Sequence, residues 1–134
     1  MEAPNEQKNR PVVRQFDLEE RTFRFAKRVR ELVKKLPKIT ANFKDGDQLI
    51  RSSGSVGANY IEANEALSRK DFIKQIKISL KEAKESRYWL QLIDVGDNEE
   101  LEQERLLLIK EAYEFVKIFC AILHKMQGKT VREI

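Results

Sequence analysis

Polar side chains that could do chemistry recur at helical spacing near the middle of the chain. Six of them could share the contact between two helices: Arg51, Ser52, Ser55, Asn59, Glu62 and Glu82. Carboxylates inside a helical bundle can hold two metal ions, but that design needs a Glu-x-x-His motif on each of two helices. The chain has one histidine, His124, and Ala121 stands three positions before it. We therefore predict no metal or other cofactor, and we interpret the six residues as a structural polar face at a helix–helix or subunit contact.

Glycines and serines in residues 51–57 raise the question of a phosphate-binding loop. That motif needs Gly-Lys followed by Ser or Thr, after a strand, and the segment has neither the lysine nor a preceding strand pattern. Small residues instead recur four apart, at Ser53 and Gly57 and at Gly54 and Ala58. This spacing predicts the close approach of a second helix.

A second group of candidates is basic. Seven cations are candidates for nucleic-acid contact: Arg24, Arg28, Lys70, Lys74, Lys77, Lys81 and Lys84. On a helix the five lysines fall within about 80° of arc, and Tyr88 continues the same stripe. Like charges one turn apart repel slightly. Phosphates of RNA or DNA could neutralise the stripe, and so could acidic residues of another helix or subunit. An ordinary solvated face is the third explanation.

Composition narrows the class of protein without indicating a reaction. The 134 residues carry a net charge of +4, with 41% hydrophobic and 36% charged residues, which suits one domain with one core. No nucleophile and base can be paired at the sequence level, so we predict that the chain is not an enzyme. Cys120, the only cysteine, lies in an apolar run and reads as a small buried residue. No segment approaches the roughly 20 apolar residues of a membrane span, and we predict a cytoplasmic protein.

Four periodic apolar segments must position these side chains. The predicted helices begin after Asp17, Asn42, Ser68 and Asn98 and end near Leu36, Ala66, Val95 and Gly128. Short connections between long helices make sequential neighbours antiparallel. The predicted fold is therefore all-α, an antiparallel up-down-up-down four-helix bundle over residues 16–127. Residues 1–15 are predicted to be a mobile N-terminal tail, and residues 128–134 a C-terminal tail.

Apolar residues also exceed what one core seam per helix requires. Phe16 and Phe23 lie apart from the main apolar face of the first helix, and Trp89 lies beside the stripe of the third. On the second helix, the seam is predicted to continue as far as Leu67. Apolar surface outside the core favours burial against another copy of the chain.

Three segments of the chain resemble a known bacterial family. They are RSSGSVGANYIEANEA at residues 51–66, SRKDFI at residues 68–73 and SLKEAKESRYWL at residues 79–90. The family is that of the four-helix bundle proteins encoded in intervening sequences of 23S ribosomal RNA genes, also called S23 proteins. The resemblance covers residues 16–127 in layout and is most specific in residues 51–93. Its shared positions include Arg51, Ser52, Ser55, Asn59, Glu62, Asp71, Phe72 and Glu82.

The resemblance implies an antiparallel bundle that assembles into a ring of five. The family is also similar to the accessory variability protein of diversity-generating retroelements, a basic pentamer that binds nucleic acid and a reverse transcriptase. The functional hypothesis is thus a self-associating bundle, most simply a pentamer, that binds structured RNA or a ribonucleoprotein weakly through its lysines. The alternative is a protein–protein interaction module that binds no nucleic acid.

Overall fold

Four α-helices make up most of the chain in the computed structural model, which describes the backbone of residues 11–128 and the side chains of residues 17–128. The helices are α1 (Pro11–Lys34), α2 (Thr40–Asn64), α3 (Arg69–Leu92) and α4 (Glu99–Gln127). Each helix packs on the next along the chain, and α1 also packs on α4, so the four helices form a closed square. The α2–α3 contact is the most extensive and the α1–α4 contact the least. The predicted four-helix bundle is confirmed.

Helix ends follow local rules at three of the sites that the sequence marks. Ser68 caps α3 by accepting a hydrogen bond from the Asp71 backbone N–H at 3.1 Å. Asn98 caps α4 in the same way, accepting from the N–H of Leu101 at 3.0 Å. Gly128 ends α4 with a φ of +68°, a left-handed conformation that glycine adopts without strain.

The predicted beginning of the first helix was wrong. Asp17 does not cap it, because α1 already begins at Pro11, and a proline is well accommodated in the first turn of a helix. Residues 11–15 therefore belong to the helix and not to the predicted tail. The predicted mobility of residues 1–10 and the tail at 129–134 lie outside the described residues.

The core is built from the predicted apolar faces. The large side chains that are fully buried include Phe25, Val29, Leu49, Val56, Ile76, Leu90, Leu108, Phe115, Phe119 and Leu123. Phe25 and Phe115 meet edge to face, with ring centroids 5.3 Å apart, and so join α1 to α4. Leu67 is fully exposed instead of extending the α2 seam, because α2 ends at Asn64 and Leu67 lies in the connection to α3. Cys120 is buried, as predicted.

A buried asparagine ties two loops at one end of the bundle. The Asn42 Nδ2 donates to the carbonyl oxygens of Pro37 at 3.0 Å and Asp94 at 2.8 Å. Its Oδ1 accepts from the Asp94 N–H at 2.9 Å. One side chain thus satisfies three backbone groups in the α1–α2 and α3–α4 connections, and it fixes the relative position of the two helix pairs.

Close helix packing at the small residues of α2 is confirmed. A Cβ placed on Gly57 would lie 2.7 Å from the Oγ1 of Thr22 on α1, closer than real Cβ contacts come. At Gly54 the space is filled by the guanidinium of Arg30, whose Nη2 would be 3.2 Å from an added Cβ. Among the three glycines of α2, Gly57 is therefore the one at which α1 leaves the least space.

Candidate nucleic-acid interface and polar contact face

The α2–α3 contact is lined by small polar residues that hydrogen-bond across it. Ser86 Oγ on α3 lies 3.0 Å from Ser52 Oγ on α2 and 2.9 Å from the Glu82 carbonyl oxygen. Two turns before Ser86 on α3, the Ser79 hydroxyl donates to the carbonyl oxygen of Val56 on α2 at 3.0 Å. All three serines are buried. Because these hydroxyls are small and hydrogen-bonded, the two helices can lie close together without leaving the serines unpaired.

An ion-pair cluster borders these serines. Arg51 on α2 reaches across to α3, with Nη1 at 3.4 Å from Glu82 Oε1 and Nη2 at 2.8 Å from Glu85 Oε1. The Glu82 side chain is 8% exposed, whereas that of Arg51 is half exposed. The arrangement leaves the nearly buried carboxylate partnered and lets the guanidinium remain in contact with solvent, which reduces the cost of burying charge.

The six residues of the predicted polar face therefore divide into two groups. Arg51, Ser52 and Glu82 lie at the α2–α3 contact. Ser55 and Asn59 are half buried, and Asn59 Nδ2 donates to the Ser55 carbonyl oxygen on its own helix at 2.8 Å. Glu62 is exposed near the end of α2.

The sequence analysis missed Ser79 and Ser86, which supply the α3 side of this contact. The signal was present, since Ser79, Glu82 and Ser86 follow one another at steps of three and four residues on α3. Such a row of polar residues on α3 indicates a face that can pack against the polar face of α2.

The five lysines of α3 lie on one exposed face, as their spacing predicts. We call this surface the lysine stripe: Lys70, Lys74, Lys77, Lys81 and Lys84. Within the part of the chain that the structure describes, only Lys81 has a carboxylate oxygen within 4.0 Å, that of Glu85 at 4.0 Å. Tyr88, which is 56% exposed, continues the stripe towards the end of the helix. A mostly unneutralised row of ammonium groups is suited to binding phosphates as point charges.

The two candidate arginines of α1 lie elsewhere and are engaged. Arg28 makes a two-pronged ion pair with Glu104 of α4, with both N···O distances at 3.0 Å, and this hydrogen bonding raises the pKa of Arg28. Arg24 lies 3.3 Å from Glu20, one turn earlier on its own helix. Because α1 and α3 are diagonally opposed in the bundle, these arginines do not extend the lysine stripe within one chain.

A second two-pronged pair strengthens the least extensive helix contact. Arg21 Nε and Nη2 donate to Glu111 at 2.8 and 2.9 Å, and this hydrogen bonding raises the pKa of Arg21. Arg21 and Arg28 are seven residues apart, as are Glu104 and Glu111, and the reversed order of pairing reflects antiparallel helices. The equal seven-residue intervals of the two arginines and the two glutamates are a signal in the sequence from which this pairing could have been predicted.

The described residues can also be compared with the requirements of a metal site and of a membrane-spanning helix. Histidine, cysteine and carboxylate side chains do not cluster in residues 17–128 in a way that could hold a metal ion. His124 is exposed on α4. None of the described helices combines the length and the apolar character that crossing a membrane requires.

Fold and surface together define the class of protein: an antiparallel helical bundle with a polar α2–α3 contact and one basic helix face. The model of the 23S rRNA-intervening sequence protein family matches residues 14–119. The chain belongs to this family, and the resemblance seen in the sequence is confirmed.

The chain is also similar to a protein of known structure. A protein of unknown function from the S23 ribosomal protein family of Bacteroides thetaiotaomicron has a similar crystal structure, with a TM-score of 0.66. The two sequences are 34% identical, and the match covers 78% of this chain and 96% of that one. No curated protein matches the chain.

Proposed function

We propose that the chain is a non-enzymatic, self-associating cytoplasmic bundle, a ring of five copies, that binds structured RNA weakly through the lysine stripe. The observation that carries the RNA part is the row of exposed α3 lysines, four of which have no carboxylate within 4.0 Å among the described residues. The family name, which refers to 23S rRNA genes, is consistent with an RNA partner.

The charge of the stripe determines the expected character of binding. A lysine ammonium meets a phosphate as a point charge and reads no base edge, so little sequence preference is expected. A net charge of +4 per chain is modest. Repetition of the stripe in an assembly would raise the local potential and compensate for weak binding by one chain.

A triple substitution tests the RNA proposal. Retention of a structured RNA at about 50 mM salt should be lost in K77E/K81E/K84E, and in the wild type it should fall steeply as salt increases. The matched control is K35E/K44E/K125E, which makes the same change of net charge at exposed lysines outside the stripe. Equal loss in both variants would indicate a general charge effect, and no retention by the wild type would refute RNA binding.

The second candidate is a protein–protein interaction module without nucleic-acid binding. Large apolar side chains on the surface favour it, among them Phe23 at 63% exposed, Phe43 at 58% and Leu107 at 55%. These side chains also support self-association, for which light scattering on the purified protein should give several times the 15.8 kDa chain mass. A monomer at micromolar concentration would contradict the ring.

A further inference from the structure

A groove runs along the outer surface between α1 and α2. Two adjoining cavities, of about 410 and 370 Å³, follow one another in it and share Lys27 and Arg30. Its floor is built from small residues where the two helices approach, including Gly54 and Gly57. Phe23 and Ile61, 63% and 42% exposed, stand at its edges. The groove is therefore open, with an apolar floor, and its walls carry the carboxylates of Glu19, Glu31 and Asp47 as well as cations.

A cation lies in the middle of this groove without a carboxylate partner among the described residues. The guanidinium of Arg30 lies over Gly54 and donates to the carbonyl oxygens of Ala26 at 3.0 Å and Ile50 at 3.4 Å. These contacts satisfy hydrogen bonds but do not cancel the charge. Lys27 adds a second positive charge on the same lining. An occupant that complements the groove must place apolar groups near Phe23 and a carboxylate near Arg30.

The outer edge of α4 carries this combination. Leu106 and Leu107 are 52% and 55% exposed. Glu99 and Glu100 precede them by seven residues each, are exposed, and have no cation within 4.0 Å in the part of the chain that the structure describes. Seven residues correspond to two turns, about 10.5 Å along a helix, so each glutamate shares a face with a leucine.

The same interval separates the complementary groups in the groove. Phe23 and Arg30 are also seven residues apart, so their Cα atoms lie about 10.5 Å apart along α1, and both side chains are on the same face of the helix. We propose that the groove of one copy receives the α4 edge of a second copy, with Leu106 and Leu107 against Phe23 and Ile61, and with Glu99 or Glu100 at Arg30. This inference rests on the self-association in the proposed function and names the two surfaces that would join.

Two different surfaces meet in such a contact. The groove belongs to α1 and α2 and places Arg30 at its centre, whereas the edge belongs to α4 and carries Glu99 and Glu100, so the contact is head to tail and not two-fold symmetric. After two copies pair, one of them keeps a free edge and the other keeps a free groove, so further copies can add at both ends. Repeated head-to-tail contacts close into a ring when the rotation between neighbours permits, and extend as a filament when it does not.

Complementation between two variants tests the proposal. We expect the groove variant F23Q/I61Q and the edge variant L106Q/L107Q each to be monomeric, because each lacks one of the two surfaces. Their equimolar mixture should form a dimer of twice the 15.8 kDa chain mass, since one intact groove meets one intact edge. The control L67Q/L92Q removes two exposed leucines elsewhere, fully and 48% exposed, and should assemble like the wild type.

A mixture that stays monomeric, a single variant that assembles like the wild type, or a control that fails to assemble would each overturn the proposal. An unchanged far-UV circular dichroism spectrum and a cooperative thermal transition establish that each variant is folded, whereas the melting midpoint itself should fall when association is lost. As a second measurement, R30Q should weaken wild-type association about tenfold at low salt, as expected for loss of a charge-assisted contact. An R30Q protein with unchanged affinity would contradict the predicted role of the arginine.

RNA retention, measured on the same samples, separates the two proposals. A wild-type protein that assembles while both variants also assemble refutes only the groove–edge contact. A monomeric wild-type protein refutes the contact and the ring together, and its RNA retention still decides whether the lysine stripe binds RNA.

Discussion

Gly57 offers the sharpest test of how the bundle is packed. Replacing it with alanine adds one methyl group where α1 crosses α2, and that Cβ would lie 2.7 Å from Thr22 Oγ1 and 3.1 Å from Thr22 Cβ. Thr22 is only 1% exposed, and its hydroxyl is held by the carbonyl oxygens of Leu18 and Glu19 at 3.0 and 2.9 Å. A β-branched side chain fixed in this way cannot rotate aside, so the helices must separate.

The size of the effect follows from two opposing terms. Overpacking a tight contact costs about 1–3 kcal/mol, and we use the upper value because two atoms of a buried residue are affected. Alanine regains about 1 kcal/mol of helix propensity relative to glycine. The expected net loss for Gly57→Ala is about 2 kcal/mol, and for a chain of 134 residues this corresponds to a fall of about 7 °C in the melting midpoint.

Gly54→Ala is the matched control on the same helix. Its new Cβ would meet only the flexible end of Arg30, at 3.2 Å from Nη2, so the propensity gain should dominate and stability should be unchanged or rise by up to about 1 kcal/mol. Urea and thermal unfolding, followed by circular dichroism at one protein concentration, measure both. If Gly57→Ala is as stable as the wild type, or both variants shift equally, the close approach of α1 and α2 is wrong. In a Thr22→Ala background, the cost of Gly57→Ala should fall by about 1 kcal/mol.

Three further predictions follow from single side chains. Glu82→Gln should lose about 1–2 kcal/mol of stability in urea unfolding because the nearly buried carboxylate pairs with Arg51. The exposed Glu62→Gln should change stability by less than about 0.5 kcal/mol; equal losses would contradict the division of the polar face. Asn42→Ala should cost about 3 kcal/mol, since three backbone hydrogen bonds disappear. Asn59→Ala, which removes one local bond, should cost less than about 1 kcal/mol, and the reverse order would refute the loop tie. Burial raises the pKa of the Tyr60 phenol, so between its ordinary value near about 10 and the raised value only the unfolded chain ionises. Stability should therefore fall with increasing pH in that range, and Tyr60→Phe should flatten the slope; an unchanged slope would contradict this assignment.

Regular features of the chain were predictable because they depend on neighbours in sequence. Apolar residues at three- and four-residue steps indicated the helices, and Ser68 and Gly128 marked helix ends through local hydrogen bonding and backbone conformation. The lysine stripe was predictable for the same reason, since a one-signed row at helical spacing stays on one face wherever the helix packs. The beginning of α1 was misplaced because Asp17 also satisfies the local rules for a cap, and Leu67 because the end of α2 was placed two residues too late.

Pairing between helices was decided only in three dimensions. The sequence by itself determined four helices, their polar and apolar faces and the position of the lysine stripe, because these follow from helical periodicity. It did not determine that Arg28 meets Glu104, that Arg51 meets Glu82, or that Arg30 lies over Gly54 with no carboxylate of the described residues within 4.0 Å. Such pairs depend on the register and rotation of one helix against another. Packing of the whole core sets both, so only the tertiary structure separated engaged arginines from available lysines.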